Sequence, residues 1–597
     1  MGIPVVVTAS GGLPVTEAAN GLPVSIASNG FGMPVTLVAS GGLPVTGTYT
    51  IPSGVGQYVG ANNATWQTWL GVTTNMLVTF VDRTSWAIMV SSSVTVAADA
   101  LASGKDNNFA VPLVANGGTF AEVINGTRDS VFTTIAQNLL TAGIAGHSIV
   151  IALGWELNQS VWSWYAGGGN EANYIAAFQR VVGLFKAVSP RFVFDLNTNY
   201  AQSGAVDYAT IQDTLKPLIA IRSYDFYFTP GDNTDNLGAS NWGYNRDLAV
   251  YGAAAVKDWA VANGKLFNVR EIGIPDSYNG FSLVGLISGA LQWFKLYVNS
   301  MGWWEGDHGG VSMRLANGNN PLAAAEFKDN FGAPYAYANA EAAAYAARMT
   351  SAPFGWRKAL IDVFTGSVKS GALSGANVYS KLAEIFILAA QDSQAALLHF
   401  KTNASSTLVN NPAFVADRGF TGKYDGSFPE YISTGRTLSS FSGLGYTQNS
   451  ASAGTWELTN LADNVSSIGV SDGVMSISSR RSGDTYGNSI NDFTSPTSAT
   501  STDGRGFFGA NRSGASARQW YKNGLQIKTD TPASNGPSNN TVLLMAGQPA
   551  FPRATQHSFA FLGGTLTANE WKDLYNAIRL YLITVGAILA ADYAIAT

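Results

Sequence analysis

The chain contains no cysteine, which excludes disulfide staples and thiolate metal sites and leaves the redox compartment open. Histidine is scarce as well: His147, His308, His399 and His557 are the four, and none stands at a metal-ligand spacing, so no metal or other cofactor is expected. Only 12% of the 597 residues are charged, the formal net charge is -5, and no lysine-rich or arginine-rich stripe occurs. That distribution excludes an electrostatic footprint for nucleic acid. No unbroken run of about 18 apolar residues suggests a membrane span, so no membrane insertion is expected. The opening "MGIPVVVTAS" lacks the positive n-region of a signal peptide, so Sec export is not indicated. What the chain does have is 65 glycines and 12% aromatic residues, the makeup of a β-rich, weakly charged surface. Its length calls for two or three independent cores.

The first segment, 1–47, is a repeat. Pro4, Pro14, Pro23, Pro34 and Pro44 recur at spacings of 10, 9, 11 and 10 in units such as "GLPVTEAAN" and "GMPVTLVAS". Each unit is a short β-prone run opened by Gly-X-Pro, and proline keeps it from being a central strand of its own sheet. Such a unit cannot bury a face alone, so the repeat needs stacking or strands supplied by a partner. It reads as an assembly arm, with a flexible linker as the plain alternative.

Across 48–320 the pattern changes to apolar strands alternating with amphipathic helices. Strand candidates fall at 54–60, 75–81, 109–113, 148–153, 192–196, 224–228, 266–269 and 310–315, with helices at 129–142, 173–187, 246–263 and 281–299 among those between them. Eight such units in this length are the size of a (β/α)₈ TIM barrel, with a doubly wound open sheet as the alternative. No glycine-rich phosphate loop follows the first strand, which argues against nucleotide binding.

Chemistry in a barrel sits where the strands end. The stretch "GWELNQSVWSW" places Glu156 just past strand four among Trp155, Trp162, Trp164 and Asn158, and "FNVREIGIP" places Glu271 just past strand seven. Two carboxylates on one face suit glycoside hydrolysis, in which one protonates the leaving oxygen and the other attacks or activates water. Tryptophan walls raise the pKa of the acid by disfavouring its charged form, and they offer flat faces to sugars. Structural readings stand beside these: Glu156 bonding a rim N–H, and Glu271 pairing with Arg270 or Arg222. Asp82 and Trp86 follow strand two and could line a subsite. Asn197 and Asn199 end strand five and could bond hydroxyls or cap the next turn. Trp303 and Trp304 follow the last helix and could form a sugar platform or core. Asp195 and Asp225 lie inside strands, as substrate-contacting groups or as buried partners of Arg191 or Arg222.

The pairing of "WELN" after strand four with "REIGIP" after strand seven resembles the clan of retaining (β/α)₈ glycoside hydrolases, and within it family 26, whose members include mannanases. By that resemblance Glu156 matches the acid/base and Glu271 the nucleophile. Asn158 matches an asparagine two residues past the acid, and Tyr224 or Tyr227 the strand-six tyrosine that holds the nucleophile. The chain departs from the family at Trp155 and Gln159, where the family carries histidine and glycine.

Residues 321–402 read as an alanine-rich helical connector. From 403 to 597 short alternating strands such as "GVMSISSR", "GLQIKTD" and "TVLLMAG" give a β-sandwich, closed by a helix with a Thr-x-x-Glu capping box at Thr567 to Glu570. "DRGFTGKYDGSF" together with "FAFLGGTLTANEWKDLYNAIRLYL" resembles concanavalin-like jelly-roll modules of tailed-bacteriophage structural proteins, and the Gly-X-Pro-Val arm resembles particle-attachment segments of such proteins. The resemblance implies a multidomain α/β plus all-β protein on the virion, in a tail fibre or on the capsid surface. Its implied partners are host cell-surface polysaccharide and, through 1–47, other virion proteins, with a homotrimer suiting a strand-exchanging arm. Two functions follow: a virion-associated retaining glycosidase, or a non-catalytic fibre or decoration protein that binds host glycan.

Overall fold

The computed structural model describes residues 34–35, 49–58, 63–201, 204–228, 246–247, 251–274, 284–304, 306–308, 311–424, 428–493 and 499–597. Of the repeat arm, Pro34–Val35 alone is described, paired antiparallel with Tyr49–Thr50; the remainder of 1–47 lies outside the described residues. The chain divides into two compact units, one built on residues up to 317 and the other on Gly318–Thr597, the second also taking two short segments from before residue 317.

The first unit is a closed barrel of eight parallel strands: β1 (Gly54–Tyr58), β2 (Met76–Phe80), β3 (Asp106–Val111), β4 (Ile149–Leu153), β5 (Phe192–Asn199), β6 (Ile221–Tyr227), β7 (Leu266–Gly273) and β8 (Ser300–Trp303). β4 reads "IVIAL" and is buried at every position, as a strand covered on both faces must be. The helices between strands include Trp86–Ser103, Asp129–Leu140, Glu171–Val188 and Ala253–Ala262. Trp86–Ser103 is long and apolar enough to cross a membrane by length and composition alone. Its serines, Thr95 and Asp99 interrupt the apolar run, and its Met89, Ala97 and Ala100 are buried in the core that also holds Phe109 and Phe132.

The last strand differs from expectation. The barrel closes through Ser300–Trp303, which pairs with both β7 and β1, whereas Val311–Met313, within the expected strand at 310–315, pairs with Gly306–His308 in a two-stranded ribbon. The four-residue strand follows the helix Val284–Tyr297 so closely that the helical pattern runs into it. Glycine is required at 302, because a Cβ there would strike the Arg270 carbonyl and lie 2.8 Å from Val78 Cγ2.

Alternation along β5 and β6 turns Asp195, Asn197 and Asn199, and likewise Ser223, Asp225 and Tyr227, to one face. These residues are buried, so the barrel interior is polar where branched aliphatic side chains are usual. β7 carries a bulge: Tyr224 aligns with Val269 but Asp225 with Glu271, leaving Arg270 as the extra residue. A bulge interrupts alternation, so the consecutive residues Arg270 and Glu271 both reach the same group of acids.

The second unit begins with helices Pro321–Phe331, Ala340–Ala346 and Gly355–Ser370 and continues as two antiparallel sheets of eight and seven strands. Phe420, Ala453, Phe508 and Trp520 from one sheet share a core with Ile432, Met475, Tyr486 and Leu544 from the other, which makes a sandwich. Leu382–Ile387 corrects the expected helical connector over 321–402. It is a buried strand paired with Gln556–Gly563, so the sandwich starts about twenty residues before 403. The segment "LAEIFI" is apolar enough for either element, and its place between two packed layers decides. The final helix, Ala568–Thr584, starts in the expected capping box and lays Trp571 flat on Tyr521 at 4.4 Å.

Candidate active site

β4 ends in a tight turn: Gly154 has φ +55° and Glu156, two residues on, has φ +48°. The left-handed region is disfavoured for a glutamate, and such a conformation persists where surrounding bonds enforce it. Here they come from β5. The Glu156 N–H donates to Asn197 Oδ1 at 2.7 Å, and Leu157 N–H to the Asn197 carbonyl at 3.3 Å. Asn158 clasps the end of the same strand, accepting from Asn199 N–H at 2.8 Å and donating to the carbonyls of Asn199 at 2.8 Å and Ala201 at 3.0 Å. The Glu156 carboxyl then receives Trp162 Nε1 at 2.9 Å on one oxygen and Asn199 Nδ2 on the other.

Glu271 lies within β7, at the bulge, and is not beyond the strand end. Its N–H donates to Asp225 Oδ1 at 3.0 Å, while its two oxygens accept from Tyr227 Oη and Arg270 Nη1. Arg270 is itself stacked 4.5 Å over the Phe80 ring and lies 3.9 Å from Asp225. Asn197 joins the two halves, since its amide donates to Asp225 Oδ1 at 2.9 Å while its oxygen holds the Glu156 backbone. One carboxylate oxygen from each of Glu156, Asp225 and Glu271 lies within 4.8 Å of the other two. Among the described residues this trio alone has the geometry of a metal-binding group. The Arg270 guanidinium, bonded to Glu271, already supplies a positive charge there.

Burial first, and the Glu271 carboxyl second, push the Glu156 pKa up to about 7, against the opposing bonds from Asn199 and Trp162 and the charge of Arg270. The same two causes hold Asp225 well above the ordinary carboxylate range. Burial raises Asp195, deeper in the barrel, to about 6. Tyr227 is likewise pushed far above its usual value, by burial and then by Glu271, so it remains a donor to that glutamate. The site therefore keeps one glutamate protonated near neutrality and presents the other as an acceptor at both oxygens. Should Glu271 act as a nucleophile, Tyr227→Phe is expected to lower kcat about ten- to a hundredfold with KM little changed, because the bond it removes acts on that carboxylate more than on a bound ligand; steady-state kinetics check this.

An aromatic chain edges the acids. Trp304 meets Tyr227 at 6.4 Å and Phe80 at 5.8 Å, Phe80 meets Trp155 at 5.5 Å, and Trp155 meets Trp162 at 5.7 Å. Phe80 and Trp304 are half-buried, which leaves aromatic surface for a ligand, whereas Trp162 is stacked on Trp164 at 5.3 Å.

Several residues expected to touch substrate have other places. Trp155, Trp164, Asn158 and Asn197 are buried, and Trp164 Nε1 bonds the Trp155 carbonyl at 2.7 Å; they position Glu156. Asn199 bonds the Glu156 carboxyl itself. Tyr224 stacks on Phe226 on the helix-facing side of β6, so the strand-six tyrosine at the glutamates is Tyr227. Trp303 is core, parallel to Trp66 at 5.9 Å. Trp86 packs edge-on to Phe132 at 6.1 Å and beneath Arg128 at 5.0 Å, outside the chain of rings described above. Asp82 is exposed and closes a turn, accepting from Thr84 N–H at 2.7 Å and Oγ1 at 2.6 Å, which lowers its pKa. Arg191 bonds the carbonyls of His147 and Ile144, and Arg222 that of Leu196, so the cation beside Asp225 is Arg270. Sequence reasoning assigned no catalytic part to Asp225 and Arg270. The i, i+2 spacing of Asp225 and Tyr227 was the available signal.

No protein-family model and no curated protein matches the sequence. Among solved structures, GH26C from a Muricauda species is similar at 16% identity and a TM-score of 0.34, over 46% of this chain and 85% of that one. A modular endo-β-1,4-mannanase from Cellulomonas fimi is similar at 13% identity and a TM-score of 0.35, over 46% and 70%. The catalytic domain of a GH26 endo-β-1,4-mannanase from Bacillus sp. JAMB-750 is similar at 12% identity and a TM-score of 0.34, over 45% and 82%.

Proposed function

We propose that the barrel unit is a retaining glycoside hydrolase of the clan that includes family 26, with Glu156 as acid/base and Glu271 as nucleophile. One observation carries the reading: carboxylate oxygens of Glu156 and Glu271 come within 4.8 Å of each other while their surroundings differ. Retaining enzymes hold the two groups about 5 to 5.5 Å apart, and inverting enzymes leave about 6.5 to 9.5 Å for a water. A Glu271 oxygen attacks the anomeric carbon as Glu156 passes its proton to the departing glycosidic oxygen, giving a glycosyl ester on Glu271. Glu156, now ionised, takes a proton from water as that water attacks the same carbon, which frees Glu271 and restores the acid. Phe80 and Trp304 give the sugar its aromatic surface, while Trp162, stacked on Trp164 and beneath Arg83, holds Glu156.

The substrate in this reading is host cell-surface polysaccharide, and the protein is a virion component of a tail fibre or capsid surface. The Gly-X-Pro-Val repeat over 1–47 supports attachment to other virion proteins and a homotrimer, and the Ser/Gly/Asn/Thr-rich sandwich supports a concanavalin-like module that packs against or binds glycan. The test is a panel of host exopolysaccharides, with reducing-end release assayed and the anomeric configuration of the first product followed by proton NMR. Retained configuration is expected. Inverted product overturns the double displacement, and binding without release from any polymer favours the non-catalytic fibre.

A further inference from the structure

The loop after β2, "VDRTSW", brings a cation to the Glu156 side of the acid group. The Arg83 backbone is anchored by its carbonyl, which accepts from Asn116 N–H at 2.8 Å. Its guanidinium lies 4.4 Å above the ring of Trp162, the same ring whose Nε1 holds Glu156. Stacking uses the flat face of a guanidinium and leaves its fork of N–H donors in the ring plane unspoken for.

Arg83 differs here from the other ring-stacked arginines. Arg128 over Trp86 bonds Glu122, Arg357 over Trp356 bonds Asp417, and Arg518 over Trp520 bonds Asp530. Arg191, Arg270, Arg348 and Arg436 also combine a ring with a hydrogen-bonded acceptor. Among the described residues, the Arg83 side chain makes no hydrogen bond and no ion pair, and the residue is half-exposed. The nearest acid in sequence, Asp82, feels its charge but directs Oδ1 to Thr84.

We infer that Arg83, held on Trp162 beside Glu156, is a specificity residue that binds the carboxylate of an acidic sugar unit adjoining the scissile bond. The inference rests on the hydrolase reading of the same site. A guanidinium and a carboxylate match as paired parallel N–H···O bonds, and a stacked arginine has already lost much of the freedom such pairing costs. The neighbouring charges allow it: the pKa values of Glu156 and Asp225 are both raised, and Arg270 is bonded to Glu271, so Arg83, which feels the exposed charge of Asp82 without bonding it, is the cation at that edge with no hydrogen-bonded acid. A neutral sugar would leave that cation to water.

The experiment uses the full chain carrying Glu271→Gln, which binds without turnover. Oligosaccharides containing uronic acid, and the same oligosaccharides with their carboxyls reduced to alcohols, are titrated by calorimetry, with and without Arg83→Met. Near-ultraviolet circular dichroism confirms that the tryptophan cluster is intact in each variant. The acidic ligands are expected to bind about ten- to a hundredfold tighter than their reduced forms, to lose that advantage in Arg83→Met, and to weaken with added salt. Equal affinity for reduced and acidic ligands overturns the proposal, as does an Arg83→Met loss shared equally by both or no binding of any uronate. Turnover of the unaltered chain separates the two claims: a neutral polymer cleaved with retention keeps the hydrolase and removes the carboxylate site. Arg83-dependent uronate binding with no polymer cleaved does the reverse.

Discussion

Glu271→Gln lowers kcat on polysaccharide by more than about a thousandfold while substrate binding persists, if Glu271 is the atom donor to the anomeric carbon. The amide keeps the volume of the carboxyl and can still accept from Tyr227 or Arg270, but it lacks the charge and nucleophilicity needed to form the glycosyl ester. The smaller Glu271→Ala variant opens room for an external anion. Azide added to it is expected to restore bond cleavage and yield a glycosyl azide of inverted configuration, because the azide would approach from the side Glu271 occupies. A Gln variant that retains turnover within tenfold of the unaltered protein removes Glu271 from the nucleophile role.

Glu156→Gln reports on the other half of the reaction. Polysaccharide leaving groups need protonation, so kcat on polymer falls about a hundred- to ten-thousandfold, and far less on aryl glycosides whose leaving groups depart as stable anions. In the unaltered protein kcat/KM declines as pH rises through about 7, where Glu156 loses its proton, and this alkaline limb disappears in the variant on the activated substrate. The same shift has a stability consequence. Because the folded-state pKa is raised from 4.5 to about 7, the folded protein binds more protons than the unfolded chain between those values, and stability declines as pH rises through that window. Gln carries no such titration. The amide replaces one of the two accepting oxygens with a donor, which costs the variant a pH-independent amount; relative to the unaltered protein its stability therefore rises by on the order of 3 kcal/mol between pH 4 and pH 8. Denaturant unfolding at the two pH values checks it, and a difference that does not change with pH would show that Glu156 titrates as an ordinary carboxyl.

Both glutamates were legible as candidates because a barrel exposes chemistry toward its strand ends, although Glu271 lies inside its strand; the strand pattern was strong where the runs were long, as in Ile149–Leu153 and Phe192–Asn199. Short elements were not legible. Ser300–Trp303 has four residues and no turn signal before it, and Leu382–Ile387 reads equally well as helix. The choice between Tyr224 and Tyr227 depends on which side of β6 faces inward, and the pairing of Asp225 with Arg270 depends on a bulge. A bulge adds one residue to one strand relative to its neighbours, which no single segment's pattern can register.

The sequence by itself determined the alternation of strands and helices, a count and length that suit a (β/α)₈ barrel, the sandwich pattern to the C-terminal side and two glutamates as candidates. Those properties follow from local periodicity and residue type. The tertiary structure alone decided which strand closes the barrel, that Asp225 and Arg270 join the glutamates, and that Arg83 reaches Trp162 without an acceptor of its own. Hydrogen bonding, burial and charge act between residues distant along the chain, and their strengths depend on separations of a few ångströms that only the folded barrel sets.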